Sequence, residues 1–319
     1  MPTAHQLPVA DRDVLLLSPH LDDAWLSAAA LIQSGECEIW TVFAGRPAPA
    51  QQTAWDIASG FADSDATMAA RLAEDQAAFH GLEHRVRRLP YLDAAYAEPP
   101  LRREQAAAVR EDLTVWAVEH PHGVIAVPVG AGVHVEQAAW ERARERLRQP
   151  VAPSEAAAAP ATQDPATQDP ATQDPGETAP AAADHRHLAG TFVRKAMHAD
   201  HQRRRRKAQR RGMAANPDHL LVRDAAIAVA GTTSTVDVLA WEDLPYLWHA
   251  RGAARVPGLE RAHGLSAERF EVEVDVAEKF VRLANYASQL EVLDPQRGRL
   301  ADPAGLPSTE TYWMLRRNS

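Results

Sequence analysis

Apolar and polar positions alternate with changing period along this chain, and each period predicts an element. Residues 14–17 are Val-Leu-Leu-Leu, a short run suited to a strand buried on both faces, and they stop at Ser-Pro-His-Leu-Asp-Asp over 18–23. Trp25, Leu26, Ala29, Ala30 and Leu31 then form an apolar stripe at helical spacing. The opening therefore reads strand, polar turn, helix, with Asp22 and Asp23 in the first helical turn. A second strand is predicted over 38–44, ending at Gly45, and a helix over 64–82 with Met68, Leu72, Ala78, Phe79 and Leu82 near one face. Residues 85–89 form a weak strand candidate, 101–119 a helix, and 124–128 a buried strand that runs into Val129-Gly-Ala-Gly132. Further strands are expected at 236–241, at 270–275 with period two, and at 310–315, with a helix after the second of these. Strands that alternate with helices predict an α/β fold: a Rossmann-like three-layer sandwich with a mostly parallel sheet.

One region breaks that rhythm. Residues 152–183 are dominated by Ala and Pro, and 161–175 hold three copies of Ala-Thr-Gln-Asp-Pro. Such a repeat has almost nothing to bury, so residues 150–184 read as a disordered linker. Residues 187–211 read as a polar, basic helical segment that includes Arg203, Arg204, Arg205, Arg206, Lys207, Arg210 and Arg211. The expected organisation is one domain over 1–319 that carries residues 135–212 as an insertion.

Composition narrows the classes. With 45% hydrophobic and 24% charged residues over 319 positions, a sizeable core can form. The net charge of −9 argues against a general affinity for nucleic acid, the basic run notwithstanding. The single Cys37 excludes an internal disulfide framework, and no signal-peptide pattern opens the chain, so a cytoplasmic setting is expected. No apolar stretch approaches the roughly 20 residues that span a bilayer, so no membrane partner is expected. Without Gly-x-Gly-x-x-Gly after the first strand, a nicotinamide cofactor is not expected either. Oligomeric state is left open.

The candidate chemistry begins at the end of the first strand. Ligands bind at the carboxyl ends of strands in α/β sheets, and His20, Asp22 and Asp23 would stand there together. An imidazole with a carboxylate is part of a zinc or ferrous site, although Asp is also a preferred helix cap, and residue types alone leave both readings open. The stretch resembles the Pro-His-Pro-Asp-Asp-Glu signature of the LmbE-like (PIG-L) N-acetylglucosaminyl deacetylases, with Leu21 in place of the second Pro and Ala24 in place of the Glu. Arg71-Leu-Ala-Glu-Asp75 is similar to that family's Arg-x-x-Glu-Asp helix, and Leu92-Asp-Ala-Ala-Tyr96 to its Leu-Asp-x-x-Tyr loop. Asn216-Pro-Asp-His219 resembles its His-Pro-Asp-His turn, with Asn216 replacing the first His; Glu242-Asp-Leu-Pro-Tyr246 resembles a segment that follows a strand, and Lys279 with Tyr286-Ala-Ser-Gln289 a later one.

The resemblance implies a hydrolase that removes an N-acetyl group from a small amino sugar or glycoconjugate. It implies Zn2+, with Fe2+ also suited to the donors, held by His20, Asp23 and His219, and Asp22 as the proton acceptor. Asn216 stands where the family has a His that can stabilise an oxyanion or act as an acid, and Asn cannot supply a proton at neutral pH. Arg71, Asp93 and His134 are the candidate substrate contacts. Arg71 with Glu74 is equally readable as an exposed ion pair, and Asp93 as a loop cap. An alternative alignment through Gly132-Val-His134-Val-Glu-Gln137 would put Gln137, a poor zinc ligand, where His219 stands in the first. The rival function is a catalytically weakened member that binds a partner through the basic insertion.

Overall fold

A strand that is apolar at nearly every position needs cover on both faces. β1 (Val14–Ser18) and β4 (Val124–Pro128) are of this kind, buried along their whole length. In the computed structural model, which describes residues 7–35, 37–130, 216–233, 235–245, 256–294 and 298–317, they lie side by side at the centre of a sheet. β2 (Cys37–Thr41) and β3 (Val86–Arg88) extend it on one side, and β5 (Asp237–Trp241), β7 (Thr309–Arg317) and β6 (Leu265–Glu273) on the other. The order is β3-β2-β1-β4-β5-β7-β6. The first five strands are parallel, and β7 is antiparallel to both β5 and β6.

The residues of β1 alternate between two cores. Val14 and Leu16 join one with Trp25, Phe79, Leu283 and Tyr286; Leu15 and Leu17 join the other with Val109, Leu113, Trp116 and Val222. The first core is covered by α1 (Asp23–Ser27), α2 (Ala29–Gln33), the end of α4 (Ser64–Ala78) and, later in the chain, α8 (Val276–Leu283) and α9 (Ala287–Leu293). The second is covered by α5 (Pro99–Glu119), α6 (Pro217–Thr233) and α7 (Val256–His263). A short α3 (Ala54–Ala58) precedes α4. The three-layer α/β architecture expected from the sequence is the one observed.

Several boundaries differ for identifiable reasons. The helix expected after the first polar turn is two helices, because Ala28 leaves the helical region (φ −134°, ψ 32°) and the next two N–H groups, of Ala29 and Ala30, donate to the buried carboxylate of Glu310. The helix expected over 64–82 ends at Ala78: the backbone leaves the helix at Phe79 (φ −95°, ψ 17°), whose ring stays in the core, and Gly81 follows at φ +84°. α5 starts two residues earlier than expected, at Pro99 and Pro100, whose missing N–H groups cost nothing in a first turn. The strand expected over 270–275 is β6, longer at its start and alternating in burial. No helix among the described residues is long and apolar enough to cross a membrane.

The chain divides into two units, 1–134 with 208–319 and 135–207, and every described residue belongs to the first. The Ala-Thr-Gln-Asp-Pro repeat, the basic run, His134 and Gln137 lie outside the described residues.

Candidate metal centre

The strand order runs outward from β1 in one direction and from β4 in the other, so a crevice opens between their carboxyl ends. The turn after β1 enters it. Ser18 Oγ donates to the His20 carbonyl at 2.6 Å and accepts the Ala24 N–H at 3.0 Å, which folds the turn tightly onto the start of α1. Leu21 pins it from the other side by packing with Met68 and Tyr96. His20, Asp22 and Asp23 are thereby buried to 7%, 5% and 3% exposure.

α6 supplies the facing residues. Asn216 accepts the Asp218 N–H through Oδ1 at 2.9 Å, in the manner of a helix cap, and Pro217 follows as the first helical residue. Asp218 and His219 then point inward, at 2% and 0% exposure. One ligand atom from each of His20, Asp23 and His219 lies within 4.8 Å of the others. Asp23 Oδ2 is 3.0 Å from His20 Nδ1 and 3.2 Å from His219 Nε2, and it accepts the His20 backbone N–H at 2.8 Å.

The far nitrogens of both rings rest on carboxylates. His20 Nε2 lies 3.0 Å from Asp218 Oδ2 and 3.4 Å from Asp93 Oδ2. His219 Nδ1 lies 2.5 Å from Asp243 Oδ1, and Asp243 also accepts the Gly130 N–H at 3.0 Å, just beyond β4. This arrangement orients each imidazole so that its remaining nitrogen faces Asp23. A second group, His20 with Asp93 and Asp218, also has ligand atoms within 4.8 Å.

Asp22 stands apart from this network. It occupies the N-cap position of α1, yet its side chain makes no cap hydrogen bond, so the capping role that its residue type allows is not the one it takes. Its Oδ1 faces Arg71 Nη2 at 3.5 Å. Arg71 is only 4% exposed, and Glu74 is turned away to accept the Ser288 N–H and Oγ–H, so the exposed Arg71–Glu74 ion pair admitted by the sequence is absent. Asp93 combines both of its readings: Oδ1 accepts the Ala95 N–H at 2.7 Å as a loop cap, while Oδ2 faces His20.

Charge in this corner is lopsided, with Asp22, Asp23, Asp93, Asp218 and Asp243 set against Arg71 and Arg102. The consequences appear in the titration of each group. Burial and the neighbouring Asp23 push the Asp22 carboxyl up, with Arg71 and His20 opposing. Burial alone would raise Asp23 too, but His219 and His20 hold it well below the usual carboxylate range. Burial would lower both imidazoles, yet Asp23 and Asp218 raise His20 well above its usual value, and Asp23 with Asp243 takes His219 to about 9. The excess negative charge favours protons on the two rings and on Asp22, and a bound cation would relieve it in the same way. Two imidazole nitrogens and one carboxylate oxygen, buried and convergent, are a donor set that suits Zn2+ or Fe2+.

The sequence pointed to His20, Asp22, Asp23, Arg71, Asp93, Asn216 and His219, and the structure gathers all of these around the crevice. It did not assign Asp218, Asp243 or Arg102. Asp218 lies inside the Asn-Pro-Asp-His turn and Asp243 inside Glu242-Asp-Leu-Pro-Tyr246, the stretch after a strand that resembles a family segment, and these were the available signals; Arg102 carries no local pattern that separates it from surface residues.

No protein-family model matches the chain, and no curated protein sequence does. Solved structures do resemble it. The zinc-inhibited form of a teicoplanin deacetylase, Orf2, superposes with a TM-score of 0.58 at 20% identity over 96% of this chain and 99% of that one. A pseudoaglycone deacetylase of an antimicrobial reagent, Dbv21, gives 0.55 at 22% identity over 97% of this chain and 98% of its own. A deacetylase–teicoplanin complex gives 0.54 at 21% identity over 96% and 99%. The described residues have the fold of these deacetylases.

Proposed function

We propose that this protein is a metal-dependent N-deacetylase that removes an acetyl group from an N-acetylated amino sugar carried on a small glycoconjugate. The observation that carries the reading is the convergence of His20, Asp23 and His219 within 4.8 Å, beside a buried Asp22 that caps nothing. The motifs that resemble the LmbE-like family and the fold shared with glycopeptide deacetylases support the reaction class.

A divalent ion held by His20, Asp23 and His219 would supply Lewis acidity, lowering the pKa of water and polarising the amide carbonyl. Asp22 takes the proton of the attacking water and returns it to the departing amine as the C–N bond breaks, so the carboxylate ends the cycle as it began. The Arg71 guanidinium, 3.5 Å from its Oδ1, steadies the carboxylate between the two transfers. Asn216 donates through its amide nitrogen to the developing oxyanion, while its Oδ1 stays on the helix. Arg71 and Asp93 face the sugar hydroxyls. His134, the third candidate contact, and the basic run on which the rival interaction-protein reading depends lie outside the described residues.

The test is acetate release from N-acetylglucosaminyl glycoconjugates by zinc-loaded protein, with and without chelator. Stoichiometric acetate and free amine, lost on chelation and restored by metal, are expected. Release that a chelator leaves untouched would contradict the metal; no release from any N-acetylated amino-sugar conjugate would contradict the reaction.

A further inference from the structure

Arg102 sits at an end of its helix that does not favour it. It lies near the start of α5, toward the positive end of the helix dipole, with no acidic side chain in the first turn. Its side chain is nevertheless only 14% exposed. Two contacts hold it there: the Phe43 ring, whose centroid is 4.7 Å from the guanidinium carbon, and an ion pair with Oδ1 of Asp218.

Asp218 divides its oxygens between two sides of the site. Oδ1 pairs with Arg102, while Oδ2 faces His20 Nε2 at 3.0 Å and accepts the Ala94 N–H at 3.2 Å. The Phe43 ring also lies near the His20 ring, with centroids 6.2 Å apart. Arg102, Phe43, His20 and Asp218 thus close a circle of contacts around the imidazole.

We propose that Arg102 is a positioning residue for His20, acting through Asp218; this rests on the metal-dependent reading above. The ion pair anchors Oδ1 and so fixes where Oδ2 points. A histidine that donates from Nε2 to that oxygen keeps the lone pair of Nδ1 turned toward Asp23 and His219. Without the guanidinium, Oδ1 is buried and loses its charge partner, the carboxylate turns to other donors, and the ring loses its fixed angle and tautomer.

The same charge separates the two candidate ligand groups. A cation held by His20 Nε2, Asp93 and Asp218 would stand next to the Arg102 guanidinium, which repels it. Asp23, in contrast, faces two imidazoles. Arg102 therefore directs the ion to the Nδ1 side of His20.

Competitive zinc titration against a chromogenic chelator tests this with the full chain, on the parent, Arg102→Met and Arg102→Lys, with His219→Ala as the reference for a lost ligand. Arg102→Met is expected to bind zinc about 10- to 100-fold more weakly than the parent, in the range seen for partners of metal-ligating histidines. Arg102→Lys is expected to recover part of the loss, since an ammonium keeps the charge without the planar fork. Should Arg102→Met fail to fold, Arg102→Gln, which has a similar length and no charge, takes its place with the same expectation. A folded uncharged variant that binds zinc as tightly as the parent overturns the proposal, as does a lysine variant no better than the methionine one. A parent that binds no more zinc than His219→Ala overturns the metal reading itself, and the two failures are thereby distinguished.

Discussion

Five aspartates share one corner with two histidines, and each does a different job because each has different neighbours. Asp23 faces both imidazoles, Asp218 and Asp243 stand behind one each, Asp93 ties down its own loop, and the Asp22 carboxylate faces Arg71 at 3.5 Å. Asp22→Asn is therefore expected to lower kcat by about 10²- to 10⁴-fold, the usual range for a lost acid–base group, and to leave bound zinc unchanged by elemental analysis. Loss of the metal in that variant would place Asp22 among the ligands instead. The histidines give a pH dependence with a definite sign. In the metal-free protein His219 rises from its ordinary 6.5 to about 9, so the stability it contributes is fully present below 6.5 and is lost as pH rises through about 9. Zinc must displace that proton, so its apparent affinity should climb with pH up to about 9 and level off above it. Calorimetric titration in buffers of different ionisation enthalpy checks this: more protons released at pH 7 than above pH 9 is expected, and equal release contradicts it. At this scale the grouping of His20, Asp22 and Asp23 was legible, because they crowd into one turn after an apolar strand, while the roles proposed for them came from the resemblance to the LmbE-like family. Asp243 was legible only as part of a segment that follows a strand, since nothing in that segment shows that its carboxylate will stand behind a histidine 24 positions earlier.

Among the elements, the break between α1 and α2 shows what a local reading misses. The apolar stripe of residues 25–31 is continuous, yet the backbone opens at Ala28 because Glu310, from β7, takes the N–H groups of Ala29 and Ala30. Glu310 is itself held by Lys279 Nζ at 2.6 Å and by the Tyr312 hydroxyl at 2.6 Å, and Lys279 is fully buried. Removing one partner of such a pair strands the other in the core, so Glu310→Gln is expected to destabilise the fold by about 3–5 kcal/mol. Lys279→Met in the same background should add less than it does alone. Denaturant unfolding of the two single variants and the double variant measures the coupling, and strictly additive losses would contradict this account. A long helix such as α5 and a short uninterrupted apolar run such as β4 were legible nearly to the residue. The short α3 and α7 were not: a helix of five or eight residues gives too few turns to establish a period.

For the whole molecule, alternation of strands and helices was enough to predict the layers and the mostly parallel sheet, because a parallel pair needs a crossover and a crossover is usually a helix. The antiparallel pairing of β7 with β5 and β6 was not visible, since neither the alternating burial of β6 nor the mostly buried run of β7 names a neighbour. The topology also explains where the site lies. His20 follows β1, Asp93 follows β3, Gly130 follows β4 and Asp243 follows β5, so residues far apart in sequence meet at one edge of the sheet. These residues belong to one unit of the chain, and the long Ala/Pro-rich stretch belongs to the other. Replacing residues 150–184 with a short Gly/Ser linker is therefore expected to leave zinc content and acetate release unchanged, whereas loss of either would tie that stretch to the chemistry. The central claim is that His20, Asp23 and His219 hold a catalytic metal, and its most direct test is elemental analysis of metal per chain in the parent, His219→Ala and Gln137→Ala. About one equivalent is expected in the parent and in Gln137→Ala, with almost none in His219→Ala. A parent without metal after loading with zinc or ferrous ion, or a metal lost with Gln137 and kept without His219, would contradict it.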